Sequence, residues 1–150
     1  MTGLSRADQI AVLRGFLRGD IPFEAFRTRV AEHVQFAFDA RVREARFLIP
    51  LDVSVVITPA DLIPMLRRFL AWECTEEDIE TWATVVRMVD AFDVPPDLSE
   101  TEADDLLDPM WNVLELLSNL TVIKSPARER VEAAVTDLEA AQARLDARAV

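Results

Sequence analysis

The sequence predicts an all-α protein: a single helical domain over residues 1–150, with five to six helices built from two related αα-hairpins and at most one short two-stranded β element. Three observations carry this prediction. Residues 7–30 (ADQIAVLRGFLRGDIPFEAFRTRV) and 60–83 (ADLIPMLRRFLAWECTEEDIETWA) agree, without a gap, at nine of 24 positions and share the phrase LRxFL. Apolar residues return every three or four places through most of the chain, the period of a helix buried on one face. Helix-start signals recur, with Ser or Thr followed three places later by an acid.

In the first hairpin, Ile10, Leu13, Phe16 and Leu17 follow helical spacing. Gly19 ends the pattern as a left-handed terminus would, and Pro22 suits the first turn of the next helix. Phe23, Phe26, Val30, Val34, Phe38, Val42 and Ala45 then predict one long amphipathic helix, so residues 5–46 read as a hairpin with a short turn. The stretch 47–57 (FLIPLDVSVVI) breaks the period. Pro50 stops a helix, and Val53, Val55, Val56 and Ile57 favour a strand. A lone strand needs a partner, and LTVIK at 120–124 is the best candidate within the chain; pairing across a dimer axis is the alternative.

The second hairpin begins with Thr58 as cap, Pro59 at the first helical position and Asp61 as the third residue. Ile63, Leu66, Phe69 and Leu70 form its stripe. Thr75 with Asp78 starts the return helix, whose inward residues are Ile79, Trp82, Val86 and either Met88 or Val89. Ser99 with Glu102 opens the next helix after a proline-rich connection. Pro109 predicts a kink or a fresh start within it, since proline removes a donor and crowds the preceding turn. Trp111, Leu114, Leu117 and Leu120 continue the stripe. Ser125–Pro126 opens the last helix, striped by Val131, Val135 and Leu138. Its alanine-rich second half is expected to fray or to meet a second copy.

Charge is the most informative property for function. The net charge is −11, and it is unevenly placed. Residues 59–121 hold fifteen acidic and three basic side chains, while both ends of the chain are nearly balanced. Within 73–108 only Arg87 opposes thirteen carboxylates. Such a chain repels phosphate, so nucleic acid is a poor partner. A basic protein surface is a good one, because complementary fields speed encounter. The plain alternative is that the carboxylates only keep exposed helix faces in water.

The sequence favours few chemical sites. The single cysteine, Cys74, allows no intrachain disulfide, and no CxxC pair is present. Carboxylates beside it disfavour a thiolate nucleophile. His33 is the only histidine and reads as an ordinary helix residue; a zinc centre needs more His or Cys than this chain offers. Three scattered glycines make no phosphate-cradling loop. No cofactor is expected. The start of the chain lacks an apolar leader and no run is long enough for a bilayer, so a cytoplasmic setting with no membrane contact is expected. Of the three tryptophans, Trp82 and Trp111 sit on apolar stripes and read as core. Trp72 stands where the first hairpin has Gly19, beside acids, and reads either as an interface anchor or as packed under the neighbouring connection.

Two stretches carry resemblances. DLIPMLRRFLAWECTEEDIETWATVV (61–86), followed by MWNVLELLSNLTV (110–122), resembles a group of small uncharacterised bacterial proteins. Their pattern is DLxxML, an aromatic-Leu pair, an acidic turn, WA, and a later (F/W)xxLxxLxN. Here Trp72 replaces the usual turn glycine, and Leu120 follows the Asn where proline is common. LRGFLRGDIPFEAFRTRV (13–30) resembles the opening of bacteriocin-immunity-like proteins, small acidic helical bundles that neutralise a nuclease toxin. That resemblance implies a protein-binding inhibitor whose acidic face covers a basic, toxin-like surface. The expected partner-binding residues are Trp72, Glu73, Glu76, Glu77, Glu80, Asp104, Asp105 and Asp108, with no catalytic role assigned. Two other readings stay open: a homo-oligomeric scaffold joined through 47–57 or the last helix, and an enzyme using a divalent metal on the acid-rich helices.

Overall fold

A computed structural model describes residues 4–33, 35–39, 44–48, 51, 53–89, 91–120 and 126–148. Six α-helices make up most of it: α1 (Arg6–Leu17), α2 (Phe23–Arg29), α3 (Pro59–Leu70), α4 (Glu76–Met88), α5 (Glu100–Leu117) and α6 (Ala127–Arg148). The repeat in the sequence is a repeat in the backbone. Shifting α1 by 53 residues lands on both ends of α3, and the same shift carries the start of α2 onto the start of α4. The shared letters Leu13, Phe16, Leu66 and Phe69 are buried at equivalent places. Repetition therefore reflects packing: two hairpins bury the same stripe into one core.

The start signals work as the sequence predicts. Asp61 accepts the Thr58 backbone N–H at 2.8 Å. Thr75 and Asp78 bond each other's backbone N–H at 3.1 and 2.9 Å, and Ser99 and Glu102 do the same at 3.2 and 3.1 Å. Each pair satisfies donors that the first turn leaves open.

The ends of α1 and α3 also match. Gly19 sits at φ 82° and donates to the Phe16 carbonyl at 3.0 Å, while Asp20 donates to Gly15 at 2.9 Å. Trp72 sits at φ 64° and donates to Phe69 at 3.1 Å, while Glu73 donates to Arg68 at 2.9 Å. These are two copies of one left-handed helix ending. Glycine is required at the first. A Cβ on Gly19 would stand 2.7 Å from the Met65 sulfur and 2.8 Å from the Arg68 Cδ. Gly19→Ala is therefore expected to cost about 2 kcal/mol, from backbone strain and crowding together. Urea denaturation followed by helical circular dichroism checks it.

Four parts of the architecture differ from expectation. The long helix predicted over 22–46 stops at Arg29, and a 3-10 turn (Ala31–His33) places His33 outside any α-helix. Two strands follow, β1 (Gln35–Asp39) and β2 (Glu44–Leu48), paired antiparallel with Gln35 opposite Leu48 and Asp39 opposite Glu44. The reason lies in the spacing. Residues 30, 34, 38 and 42 are four apart, which is one helical turn but also twice a strand's period of two. Phe36 fills the intervening place and tips the pattern to strand.

The second correction concerns the strand partner of 47–57. Beyond Phe47 and Leu48, which belong to β2, two residues of the stretch pair, β3 (Val55–Val56), and they pair parallel with β4 (Phe92–Asp93), in the connection between α4 and α5. Val55 donates to the Ala91 carbonyl at 2.7 Å and Ile57 to Asp93 at 2.8 Å. The pairing expected from LTVIK falls on 121–124, which lie outside the described residues.

Third, α5 continues past Pro109 as one helix, so no fresh start occurs there. Proline leaves the Asp105 carbonyl without its helical donor, and Arg144 of α6 donates to that oxygen at 3.3 Å. The expected stripe holds at Leu114, Leu117 and Leu120 and fails only at Trp111. Leu107, Met110, Val113, Leu114 and Leu117 are buried, while Trp111 is 37% exposed and not a core residue.

Fourth, the alanine-rich half of α6 packs on its own chain. Ala141 is buried there, continuing the stripe of Ala134 and Leu138 from the first half of the helix. The Ala60 N–H at the start of α3 donates to the Gln142 side chain at 3.0 Å, and Arg148 grips Asp97 and Glu102. Arg148, then the Ser99 N–H, holds the Glu102 carboxyl below the ordinary carboxylate range. A depressed carboxylate stabilises above its unfolded value and ceases to as pH falls through its folded one. Acid is therefore expected to loosen the end of α6 as pH falls through the depressed folded value of Glu102, read as loss of amide-exchange protection near residue 148.

Candidate protein-binding surface

The turn joining α3 to α4 presents the candidate site. Trp72 is 78% exposed, the most exposed large apolar side chain among the described residues. Arg128, near the start of α6, lies over the indole with its guanidinium carbon 4.0 Å from the ring centroid. The same guanidinium donates to the Leu70 carbonyl at 2.7 Å, and to that of Phe69 at 3.5 Å. These carbonyls end α3 and have exact counterparts at the end of α1. There, Phe16 and Leu17 both accept the indole N–H of Trp82 at 3.2 Å. The two hairpins thus meet the same helix-end acceptors by opposite means, one with a buried tryptophan and one with a surface arginine. The second solution leaves the adjacent Trp72 ring in water.

Glu73, Glu76 and Glu77 are exposed around this turn, and Glu80 is half-buried one turn further along α4. Arg68 crosses from α3 to the first hairpin. It pairs with Asp20, donates to the Arg18 carbonyl at 3.3 Å, and lies 3.6 Å from Glu73. The two left-handed turns are thereby held side by side.

Asp104, Asp105 and Asp108 are exposed but stand elsewhere. Their segment of α5 is tied to α6 through Arg144, whereas Trp72 is tied to α6 through Arg128. Sixteen residues of helix separate those arginines, about 24 Å of axial rise. The acidic residues expected to form one face therefore form two patches at opposite ends of α6. Sequence reasoning also missed Arg128 and the first-hairpin residues beside the turn. No local pattern marks them, because they come from distant parts of the chain.

Cys74 lies in the turn, partly buried. Its thiol is pushed up to about 11, first by burial, then by Asp78, with Glu73 adding and Arg68 opposing. At pH 8 such a thiol holds about one hundredth of the thiolate of an ordinary cysteine. Alkylation by iodoacetamide is expected to run about a hundredfold slower than for a free cysteine peptide and to quicken tenfold per pH unit up to about pH 11. Rate measurement by mass spectrometry checks this.

Among the described residues, no group of three His, Cys, Asp or Glu side chains is arranged to hold a metal ion. Among the same residues, no helix is long and apolar enough to cross a membrane. No protein-family model matches the chain, and no curated protein or solved structure matches it.

Proposed function

We propose that the chain is a non-enzymatic protein-binding module, in the manner of an immunity-type inhibitor that covers a basic, toxin-like protein surface. The observation that carries the reading is Trp72 itself. A bulky residue at positive φ is an outlier that costs free energy, and the equivalent place in the first hairpin holds the glycine that would relieve it. The retained indole stands in water among Glu73 and Glu76. An exposed aromatic bordered by Glu73 and Glu76, with Arg128 over its ring, suits a binding anchor: the ring supplies affinity, and the carboxylates steer a basic partner to it. The net charge of −11 and its concentration between residues 59 and 121 support the same reading. The binding surface narrows to the 72–80 patch. Asp104, Asp105 and Asp108 contribute only to the long-range field.

A photo-crosslinking amino acid placed at position 72 in the native host tests it, with position 136 on the exposed side of α6 as control. The expected result is an adduct with one basic protein, specific to position 72. Raising the salt concentration or reversing Glu73 and Glu76 to lysine removes it. No position-specific adduct, or one indifferent to salt and charge reversal, overturns the reading.

A further inference from the structure

Two clefts flank the 72–78 turn. One, of about 610 Å³, lies among Trp72, Glu76 and Arg128. The other, of about 430 Å³, lies between the two hairpin turns. Phe23, Met65 and Trp82 line the second, with Glu24 and Glu77 exposed at its edge. Glu73, Cys74 and Asp78 border both clefts. The turn is thus a ridge with a cleft on either side. Glu76 and Glu77 are successive residues on α4, about 100° apart around its axis, and they serve different clefts.

We propose that this ridge seats two basic side chains of one partner segment, one in each cleft. The inference rests on the protein-binding reading above and names the chemistry of its partner. The second cleft combines apolar walls with acidic edges. That combination suits lysine or arginine, whose aliphatic stem covers apolar surface while its charged head reaches carboxylates. Glu24, Glu73, Glu77 and Asp78 line it against one cation, Arg68, which is already engaged with Asp20 and the Arg18 carbonyl. The first cleft offers Glu76 for a cation to pair with, beside the Trp72 ring over which Arg128 already lies, so an incoming cation shares the ring with Arg128. An acidic segment would meet like charge at Glu73, Glu76, Glu77 and Asp78. The Cys74 thiol at the crest is raised first by burial and then by Asp78, with Glu73 adding and Arg68 opposing.

Each cleft carries its own reporter, because Trp72 lines one and Trp82 the other, while Trp111 on α5 lines neither. Proton–nitrogen correlation spectra resolve the three indole N–H signals. The probe is the capped peptide Arg-Gly-Gly-Arg, with capped Glu-Gly-Gly-Glu as control. The expected result is saturable shifts of the Trp72 and Trp82 signals by the arginine peptide alone, with Trp111 unmoved. Glu76→Gln and Glu77→Gln should each weaken binding about two- to fivefold, the worth of one exposed ion pair. A shift at Trp72 with Trp82 silent overturns the two-seat arrangement, as does an equal response to the glutamate peptide or no response at all. The position-72 adduct is read separately. If it forms while Trp82 stays silent, only the two-seat inference falls; if it is also absent, the protein-binding reading falls with it.

Discussion

Trp82→Ala is expected to lower the unfolding free energy by about 4 kcal/mol, the largest loss of any single change considered for this chain. The residue is 2% exposed and lies where α4 meets the end of α1. Removing a buried tryptophan leaves a cavity that costs about 3–5 kcal/mol. It also withdraws the indole N–H that the Phe16 and Leu17 carbonyls accept, a further loss, although Phe16 keeps the Gly19 N–H. Trp82→Phe separates the two effects: it keeps most of the volume and is expected to cost about 1–2 kcal/mol, mainly for the lost donor. Arg128→Ala is the matched comparison. Arg128 serves the equivalent carbonyls in the second hairpin, but at a partly exposed site where water can replace it, so about 1 kcal/mol is expected. Urea denaturation of the three variants ranks them. If Trp82→Ala and Arg128→Ala fell within 1 kcal/mol of each other, the two caps would be energetically alike and the burial argument would fail.

That contrast explains what could be read from sequence. Helix starts such as Thr58–Asp61 and Thr75–Asp78 were legible because capping is decided within four residues. The two hairpins were legible because their stripes share letters. The 35–48 hairpin was not, since an every-fourth-residue pattern satisfies both periods and only Phe36 separates them. The acceptor that Pro109 leaves open in α5 is met by Arg144, 35 residues downstream, which no local rule would supply. The site was half legible. Comparing the repeats singles out position 72, because a glycine that ends a helix has become a tryptophan. Charge counting correctly placed the acids on the middle of the chain. A sum along a sequence has no geometry, however, so it merged Asp104, Asp105 and Asp108 with a patch at the other end of α6. The cleft between the hairpin turns was hidden for the same reason: Phe23 and Glu24 reach Glu77 and Trp82 only in three dimensions.

Trp72→Gly is the change that tests what position 72 is for. On stability, two effects oppose. Glycine relieves a left-handed backbone, a gain of about 1–2 kcal/mol. It also removes the Arg128–indole contact, a loss of about 0.5–1 kcal/mol at an exposed site. The expected outcome is unchanged stability or a gain of up to about 1 kcal/mol, as the Gly19 turn suggests. On binding, an aromatic anchor is worth about 2 kcal/mol or more, so affinity for the partner should fall about thirtyfold. Asp104→Lys, Asp105→Lys and Asp108→Lys combined should instead slow association modestly through the long-range field and leave dissociation almost unaltered. Calorimetric unfolding and surface-based binding kinetics measure both sides. A variant that is more stable and no longer binds would show that this turn sacrifices stability to present a ring. A variant that loses stability by more than 1 kcal/mol while binding as before would place Trp72 among the structural residues, and the acidic turn beside it among the merely solvated ones.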